Sequence, residues 1–252
     1  MEYKDCLSKL KILLSKDFNC TPGDFDRGAE ENVVTLSAVI EGRRVYGETA
    51  EFFNMVTLGT NCVVSADERL HDFLKEFVKG KTGYWLFEQH NTSVIEKELN
   101  RYGYTLYHSH HLYLPARQVL PTKNYPVKWF YGYEEIEQFY GDKRFPNALC
   151  EKYTPSRPDT IAVCAYDENG DIMGMAGCSE DAPGWQQIGI DVLPEYREKG
   201  VGTYLVTLLK NKIEEKGDIP FYGTGISNFR SMNIAINTGF KPTWVEIHAV
   251  KM

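Results

Sequence analysis

Residues 192–212, VLPEYREKGVGTYLVTLLKNK, join a predicted strand to a predicted helix through an Arg-x-x-Gly-x-Gly sequence. Pro194 ends the strand, and the leucines after the glycines repeat at the spacing of an amphipathic helix. The two glycines leave the backbone bare at the helix N-terminus, where free N–H groups and the helix dipole favour an anion. An ordinary loop with turn glycines is the alternative that this short pattern leaves open. The fold must therefore contain a strand that runs almost directly into a helix.

The rest of the second half predicts an α+β domain. The dipeptide Asn169-Gly170 is typical of a tight hairpin turn because it supplies the positive φ angles that such a turn requires. Residues 228–238 predict the last helix, and TWVEIHAVK predicts the closing strand. Short helices are predicted at EEIEQFYG and PNALCEKY. Together these elements predict a mixed, mostly antiparallel sheet flanked by helices, with one parallel crossover.

A weak repeat relates the two halves of the chain. NTSVIEKELNRYGYTLYHSHHLYLP and NFRSMNIAINTGFKPTWVEIHAVKM each predict a helix, a Gly-aromatic stop and a strand, and RLHDFLKEFVKGKTGYWLFEQ predicts a further helix and strand upstream. A glycine followed by an aromatic residue also ends many unrelated helices, so chance similarity remains the alternative. Prolines in LPARQVLPTKNYPV interrupt regular structure between the halves. We therefore predict two tandem domains, residues 1–120 and residues 125–252.

The first half lacks the glycine loop of the second. Its corresponding stretch, VVSADERLHDF, contains no glycine and places acidic residues where phosphates would bind. We therefore expect residues 1–120 to be a degenerate copy that binds no cofactor and packs against the other half.

Composition and charge exclude several classes of protein. With 42% apolar residues among 252, the chain can form a sizeable core, and it has no apolar run of membrane-spanning length. Six scattered cysteines without a C-x-x-C pair suggest reduced thiols, so we expect a soluble cytoplasmic protein. A net charge of -7 without a basic block argues against nucleic acid as a partner and is compatible with a cationic small molecule.

VLPEYREKGVG together with SNFRSMNIAINTGF resembles the GNAT superfamily of acyl-CoA-dependent N-acetyltransferases, over about residues 125–252. The ending GFKPTWVEIHAV also resembles the branch that includes zwittermicin-resistance acetyltransferases. The resemblance implies a GNAT-like fold in both halves and acetyl-CoA as co-substrate, with its pyrophosphate in the glycine loop. It assigns cofactor contacts to Val192, Arg197, Glu198, Lys199, Gly200, Val201, Gly202, Thr203 and Asn228. An equally physical role for Asn228 is to cap the last helix.

The sequence departs from the family pattern where proton transfer is concerned. Many members carry a general-acid tyrosine four residues before the Gly of Gly-Phe, where this chain has Ala235. A strand glutamate often serves as base, and the nearest positions here are Gln186 and Gln187. Either other residues transfer the proton, or the cofactor loop has a function other than catalysis.

Three residues are candidate replacements. Asp191 lies in the apolar strand IGIDVL, where a carboxylate needs a partner or a function, and we expect it to anchor or deprotonate the substrate amine. A structural hydrogen bond to a neighbouring turn is its alternative role. Glu246 and His248 alternate on the last strand and share one face, which in this fold borders the acceptor site. A lone strand histidine is more often structural or exposed than catalytic.

The predicted activity is transfer of the acetyl group of acetyl-CoA to a primary amine of a small molecule, by direct attack in a ternary complex. A protein N-acetyltransferase and a non-catalytic acyl-CoA sensor are the alternatives. We predict no metal, because the histidines of YHSHHLYL have no cysteine or acidic residue nearby in sequence. A homodimer remains open.

Overall fold

The computed structural model describes residues 2–252. Its helices are α1 (Tyr3–Asp17), α2 (His71–Phe77), α3 (Gln89–Asn100), α4 (Gly132–Ile136), α5 (Val201–Glu215) and α6 (Phe229–Asn237). Its strands are β1 (Val33–Leu36), β2 (Phe53–Thr57), β3 (Cys62–Ala66), β4 (Tyr104–Leu106), β5 (His110–Pro115), β6 (Val127–Tyr131), β7 (Asp159–Tyr166), β8 (Ile172–Ala182), β9 (Trp185–Val192), β10 (Ile219–Gly225) and β11 (Phe240–Lys251).

The chain forms two compact units, and neither is one continuous stretch of sequence. Unit I holds residues 2–6, 113–224 and 228–241, and unit II holds residues 7–112, 225–227 and 242–252. Part of the closing strand thus belongs to the unit built mainly from the first half of the chain. The predicted domains, 1–120 and 125–252, remain a prediction. Within residues 2–252, no helix is both long and apolar enough to cross a bilayer.

Unit I contains a sheet in the order β6-β7-β8-β9-β10. Neighbouring strands are antiparallel except β9 and β10, which are parallel and joined through α5. One face packs its apolar side chains against Leu205, Leu209 and Ile213 of α5. The predicted fold class, a mixed and mostly antiparallel sheet flanked by helices, is therefore confirmed, as are the Asn169-Gly170 hairpin and the last helix.

The parallel pair in this sheet covers only part of its strands. Pairing runs from Trp185 opposite Ile219 to Ile188 opposite Tyr222, whereas β9 continues to Val192. On its other side β9 is paired with β8 as far as Val192. The second half of β9 therefore turns one backbone edge toward an opening between the two parallel strands, and we call this opening the β9–β10 wedge.

Residues 140–158 form turns rather than the helix predicted at PNALCEKY, so that prediction is wrong. Three aspartates from neighbouring strands bind this segment: Asp159 on β7, Asp181 on β8 and Asp191 on β9. Asp159, for example, accepts hydrogen bonds from the Tyr140 hydroxyl at 3.0 Å and from the Cys150 N–H at 3.2 Å. Backbone N–H groups that a helix would pair with its own carbonyls are satisfied by carboxylates instead.

A pair of glycines lets this segment approach the sheet closely. Gly177 on β8 lies opposite Gly189 on β9. A Cβ atom at Gly177 would overlap the carbonyl oxygen of Ala148, and one at Gly189 would overlap that of Asn147. The segment therefore lies directly on the backbone of both strands.

Unit II has its own sheet, in the order β1-β3-β2-β11, with β4 beside the end of β11. Strands β1 and β3 are parallel, and the other pairs are antiparallel. Ile247 and Ala249 point into an apolar core with residues of α2 and α3. The strand predicted within KTGYWLFEQ is wrong, because Gly83–Phe87 forms a short 3-10 helix.

The N-terminus of the first helical turn after β3 is already occupied. The Asp67 side chain accepts the N–H of Arg69 and also binds its guanidinium at 2.7 Å. The residue therefore places a carboxylate where an anionic ligand would need a free N–H.

The close approach at Gly189 leads to a stability prediction. Gly189→Ala should lower the free energy of unfolding by about 1–3 kcal/mol, because the added methyl group must displace the Asn147 carbonyl. Gly47→Ala is the matched control, since no described atom lies within 4 Å of the added Cβ there. Urea unfolding of both variants measures the difference, and equal stabilities would contradict the close contact.

Candidate functional site

The glycine loop places several backbone N–H groups together at the start of α5. Gly200 is the N-cap of the helix with φ 84°, and Glu198 also has a positive φ of 63°. The Tyr204 N–H donates the first i to i−4 hydrogen bond, to the Gly200 carbonyl at 3.0 Å. The N–H groups of residues 201–203 precede that bond, so helix geometry leaves them without an intrahelical acceptor. They can bind an anion.

The two glycines have different roles. Gly200 adopts a left-handed conformation that side chains rarely tolerate. Gly202 has no such requirement, but a Cβ there would come within 2.9 Å of Ile234 on α6 and 3.3 Å of Val192 on β9. Gly202 therefore allows α5, α6 and β9 to meet at the edge of the wedge.

Side-chain hydrogen bonds hold the loop in place before any ligand binds. The Tyr125 hydroxyl donates to the Lys199 carbonyl at 2.8 Å, and the Tyr196 hydroxyl donates to Asp167 at 2.8 Å. The Arg197 Nε donates to the Val192 carbonyl at 3.3 Å. Such preorganisation lowers the entropy lost when a ligand binds.

Exposed cations surround the loop. Arg197 and Lys199 belong to it, and the Lys123 side chain lies beside Gly200. Arg230 on α6 lies 3.9 Å from Glu198, the one acid of the loop. Sequence reasoning missed Lys123 and Arg230, because neither belongs to the Arg-x-x-Gly-x-Gly pattern. The charge favours a ligand with more than one phosphate.

A buried polar atom on β10 is left without a partner, two residues beyond the last residue paired with β9. Thr224 is 5% exposed, and within residues 2–252 nothing reaches its hydroxyl within hydrogen-bond distance. A buried hydroxyl without a partner is costly. Sequence reasoning did not identify Thr224.

Helix α6 lies beside the wedge. Asn228 is its N-cap, and the side chain accepts the Ser231 N–H at 3.1 Å, which is the structural role the sequence left open. Ala235 is fully buried. One turn earlier, the Ser231 hydroxyl lies 2.8 Å from that of Tyr222. Sequence reasoning did not identify Ser231.

The carboxylate of Asp191 is occupied by hydrogen bonds. It accepts the Asn147 N–H at 2.7 Å, the Asn147 side-chain amide at 2.7 Å and the Ala148 N–H at 2.8 Å. The geometry is that of the structural alternative, a carboxylate that fixes a turn. Its predicted part in catalysis is untested.

A second carboxylate on this face is less completely paired. Asp181 is fully buried. One of its oxygens accepts from Arg157 at 2.6 Å and from Ser179 at 2.7 Å, and the other finds no partner among residues 2–252. Arg157 also donates to Gln187 at 3.0 Å, so one of the two glutamines nearest the family's base position belongs to this network.

Glu246 and His248 lie in unit II, where Glu246 completes a buried ion-pair network. Its carboxylate accepts from Arg44 and from the Trp244 indole, each at 2.6 Å, and Arg44 also donates to Asp17 at 2.6 Å. Burial opposes the charge of Arg44, but the two carboxylates outweigh it and raise its pKa. Glu246 therefore serves as the counter-ion of a buried arginine.

His248 is half-buried beside Glu246. Burial lowers its pKa, and the Glu246 carboxylate opposes that effect while His108 adds to it. Within residues 2–252 no group of three or more His, Cys, Asp or Glu side chains has an arrangement that could hold a metal ion. Catalytic roles for Glu246 and His248 remain predictions.

The site combines a helix N-terminus with free N–H groups and an unpaired strand edge, and a comparison with known families covers both. Residues 125–240 match the model of the Acetyltransferase (GNAT) family. That range is a little under half of the chain and contains the loop, the wedge and α6. The segment is therefore similar in sequence to GNAT acetyltransferases. The narrower resemblance to zwittermicin-resistance enzymes stays a prediction.

Several solved structures are similar in fold. An acetyltransferase of the GNAT family from Novosphingobium aromaticivorans is 14% identical, with TM-score 0.47 over 60% of this chain and 68% of that one. A GCN5-related N-acetyltransferase-like protein from Streptococcus suis is 13% identical, with TM-score 0.46 over 65% and 69%. A GNAT acetyltransferase from Colwellia psychrerythraea is 14% identical, with TM-score 0.44 over 83% and 84%. No curated protein matches. Similarity at this level does not decide the activity of this chain.

The hydrogen bonds of Asp191 allow its two roles to be separated. Asp191→Ala should destabilise the fold by about 1 kcal/mol, because two backbone N–H groups of residues 147–148 lose their acceptor. Urea unfolding measures this loss. Acetyl-transfer activity lost without any change in stability would instead assign Asp191 to the chemistry.

The lowered pKa of His248 predicts a pH-dependent stability. A base with a folded-state pKa below its usual 6.5 stabilises the fold above that pH, and the stability is lost as the pH falls toward the folded-state pKa. In the wild-type protein the free energy of unfolding should therefore decrease as the pH falls below about 6.5. His248→Gln should make this decrease less steep, by at most about 1.4 kcal/mol per pH unit. If the free energy of unfolding of the wild type and of His248→Gln changed equally with pH, the result would contradict the pKa shift of His248.

Proposed function

We propose that this protein is an N-acetyltransferase that transfers the acetyl group of acetyl-CoA to a primary amine of a small molecule. The observation that carries the proposal is the β9–β10 wedge, which leads directly into the left-handed Gly200 loop. The family match over residues 125–240 supports the acyltransferase class.

The phosphates and the pantetheine arm of the cofactor suit different parts of the site. The pyrophosphate fits the N–H groups of residues 201–203, with Arg197 and Lys199 as neighbouring cations. The pantetheine arm carries amides that can pair with the unpaired edge of β9 between Gly189 and Val192. An N–H of that edge can polarise the thioester carbonyl, which lowers the barrier to attack by the amine nitrogen.

A small cationic amine suits the charge of the protein and of the face that bears residues 140–158. The chain has a net charge of -7, and Asp159, Asp181 and Asp191 approach this face from three strands. The predicted peptide-acceptor enzyme would need an open groove, whereas the contact of residues 147–148 with Gly177 and Gly189 fills the sheet surface there. The small molecule is therefore the preferred acceptor.

A non-catalytic acyl-CoA-binding protein is the second candidate. It is favoured by Ala235 at the family's general-acid position, by glutamines (Gln186 and Gln187) nearest the base position and by the hydrogen-bonded carboxylate of Asp191. Positioning and backbone polarisation nevertheless contribute much of the acceleration in acyl transfer without a dedicated acid. We therefore prefer the enzyme.

A pair of loop variants tests the cofactor site. Gly200→Val should abolish acetyl-CoA binding in a calorimeter, because valine does not tolerate the φ of 84°. Glu198→Gln should tighten binding about two- to fivefold at low salt, because it removes a negative charge from the helix N-terminus. Circular dichroism controls for folding. Retained affinity in Gly200→Val would overturn the assignment of the loop.

A thiol-release assay with acetyl-CoA and a panel of amines then separates the two candidate functions. The panel holds amino acids, polyamines, aminoglycosides, aminopolyols and short peptides. Turnover with one small-molecule class supports the proposal. Turnover with peptides alone would show that the acceptor is a peptide amine and not a small molecule. Binding of acetyl-CoA with no turnover across the panel would favour the sensor.

A further inference from the structure

Tyr222 and Ser231 form a hydroxyl pair at the inner end of the wedge. Their oxygens are 2.8 Å apart. Tyr222 is 1% exposed, and its ring packs against Tyr113 and Phe240. Ser231 is half-buried on α6. The pair therefore joins a deeply buried phenol to a hydroxyl nearer the surface.

The pair lies where the parallel strands separate. Tyr222 is the last residue of β10 paired with β9, opposite Ile188. Ile190 and Val192, from the unpaired part of β9, pack in the same apolar cluster as Tyr222. From Ile188 to Val192 the strand extends about 13 Å. A pantetheine arm laid along this edge, with its phosphates at the loop, would bring its sulfur to the hydroxyl pair.

The hydrogen bond between these two hydroxyls can run in either direction. Tyr222 is 1% exposed and its hydroxyl is paired with Ser231, so the buried phenol hydrogen finds an acceptor when Tyr222 donates. In that arrangement the Ser231 hydrogen is left for another acceptor. The backbone N–H of Ser231 is already bound to the Asn228 cap, which fixes this turn of the helix.

Resting on the proposed function, we propose that the Ser231 hydroxyl donates a hydrogen bond to the sulfur of the departing CoA, with Tyr222 as the residue that positions it. Ser231 and Ala235 are four residues apart and share one face of α6. Ser231 thus provides, one helical turn away, a donor that Ala235 cannot.

The step balances without a further reactant. The neutral amine nitrogen forms a bond to the thioester carbon, and the carbon–sulfur bond then breaks with its electron pair on sulfur. The nitrogen loses one proton to solvent, and the CoA thiolate equilibrates with solvent to the thiol. The Ser231 hydrogen bond lowers the energy of the negative sulfur and is not itself consumed.

The test measures the pKa of the thiol of bound CoA and needs no acceptor. Thiolate ultraviolet absorbance is followed against pH in the CoA complex, after subtracting the complex with CoA that lacks the sulfur, because the protein has its own cysteines and tyrosines. We expect the thiol pKa of bound CoA to lie about one to two pH units below that of free CoA.

Variants assign this shift to the pair. Ser231→Ala should return the thiol pKa to that of free CoA, and Ser231→Thr should keep it low. Tyr222→Phe should remove part of the shift and add nothing in the Ser231→Ala background. Asn233→Ala, at an exposed position on the same helix, is the matched control.

The outcomes separate this inference from the proposed function. A bound thiol with unaltered pKa, or a shift that survives Ser231→Ala, would overturn the role of the pair while leaving the cofactor site intact. A wild-type protein that binds no CoA would overturn the proposed function and this inference with it. With an amine substrate, Ser231→Ala should lower kcat about tenfold to hundredfold and leave acetyl-CoA affinity within about twofold.

Discussion

Incomplete pairing of one strand is the constraint from which the candidate site follows. Strand β9 is bonded to β8 as far as Val192 but to β10 only as far as Ile188. Its remaining backbone groups on that edge need a partner, since unpaired polar groups are costly away from water. The same strand ends at the loop that carries Gly200. Backbone pairing sites and a phosphate-binding helix terminus therefore lie on one continuous path.

The sequence predicted this path because its signals are local. Arg197, Gly200 and Gly202 lie within one turn and the start of one helix, so their spacing marks them as candidates without tertiary information. Non-local features were inaccessible to such reasoning. The turn at Asn147 depends on the carboxylate of Asp191, 44 residues later. The predicted helix does not form there because the backbone N–H groups are bound to this carboxylate instead of to helix carbonyls. Tyr222 and Ser231 likewise meet only because β10 and α6 pack together.

Glu246 illustrates a different limit of sequence reasoning. An acid beside a histidine on one strand face is compatible with catalysis, yet the same pattern suits a buried counter-ion. Arg44, which is 3% exposed and distant in sequence, decides between them in this structure by binding Glu246 and Asp17. Removing one partner of such a network leaves a buried charge unpaired, so loss of activity at Glu246 alone would not identify a catalytic residue.

The missing tyrosine at Ala235 matters less for thioesters than for acyl donors with poorer leaving groups. A thiolate, the anion of a thiol with a pKa near 8.5, leaves far more readily than the amide anion that a neutral amine would have to form. The tetrahedral intermediate therefore expels sulfur once the nitrogen has lost its proton, and a hydrogen-bond donor can replace a full acid. The more demanding step is to obtain the neutral amine, which is about one part in a thousand of an alkyl ammonium at neutral pH. With the Asp191 carboxylate occupied by the Asn147 turn, we propose solvent water as the acceptor of that proton.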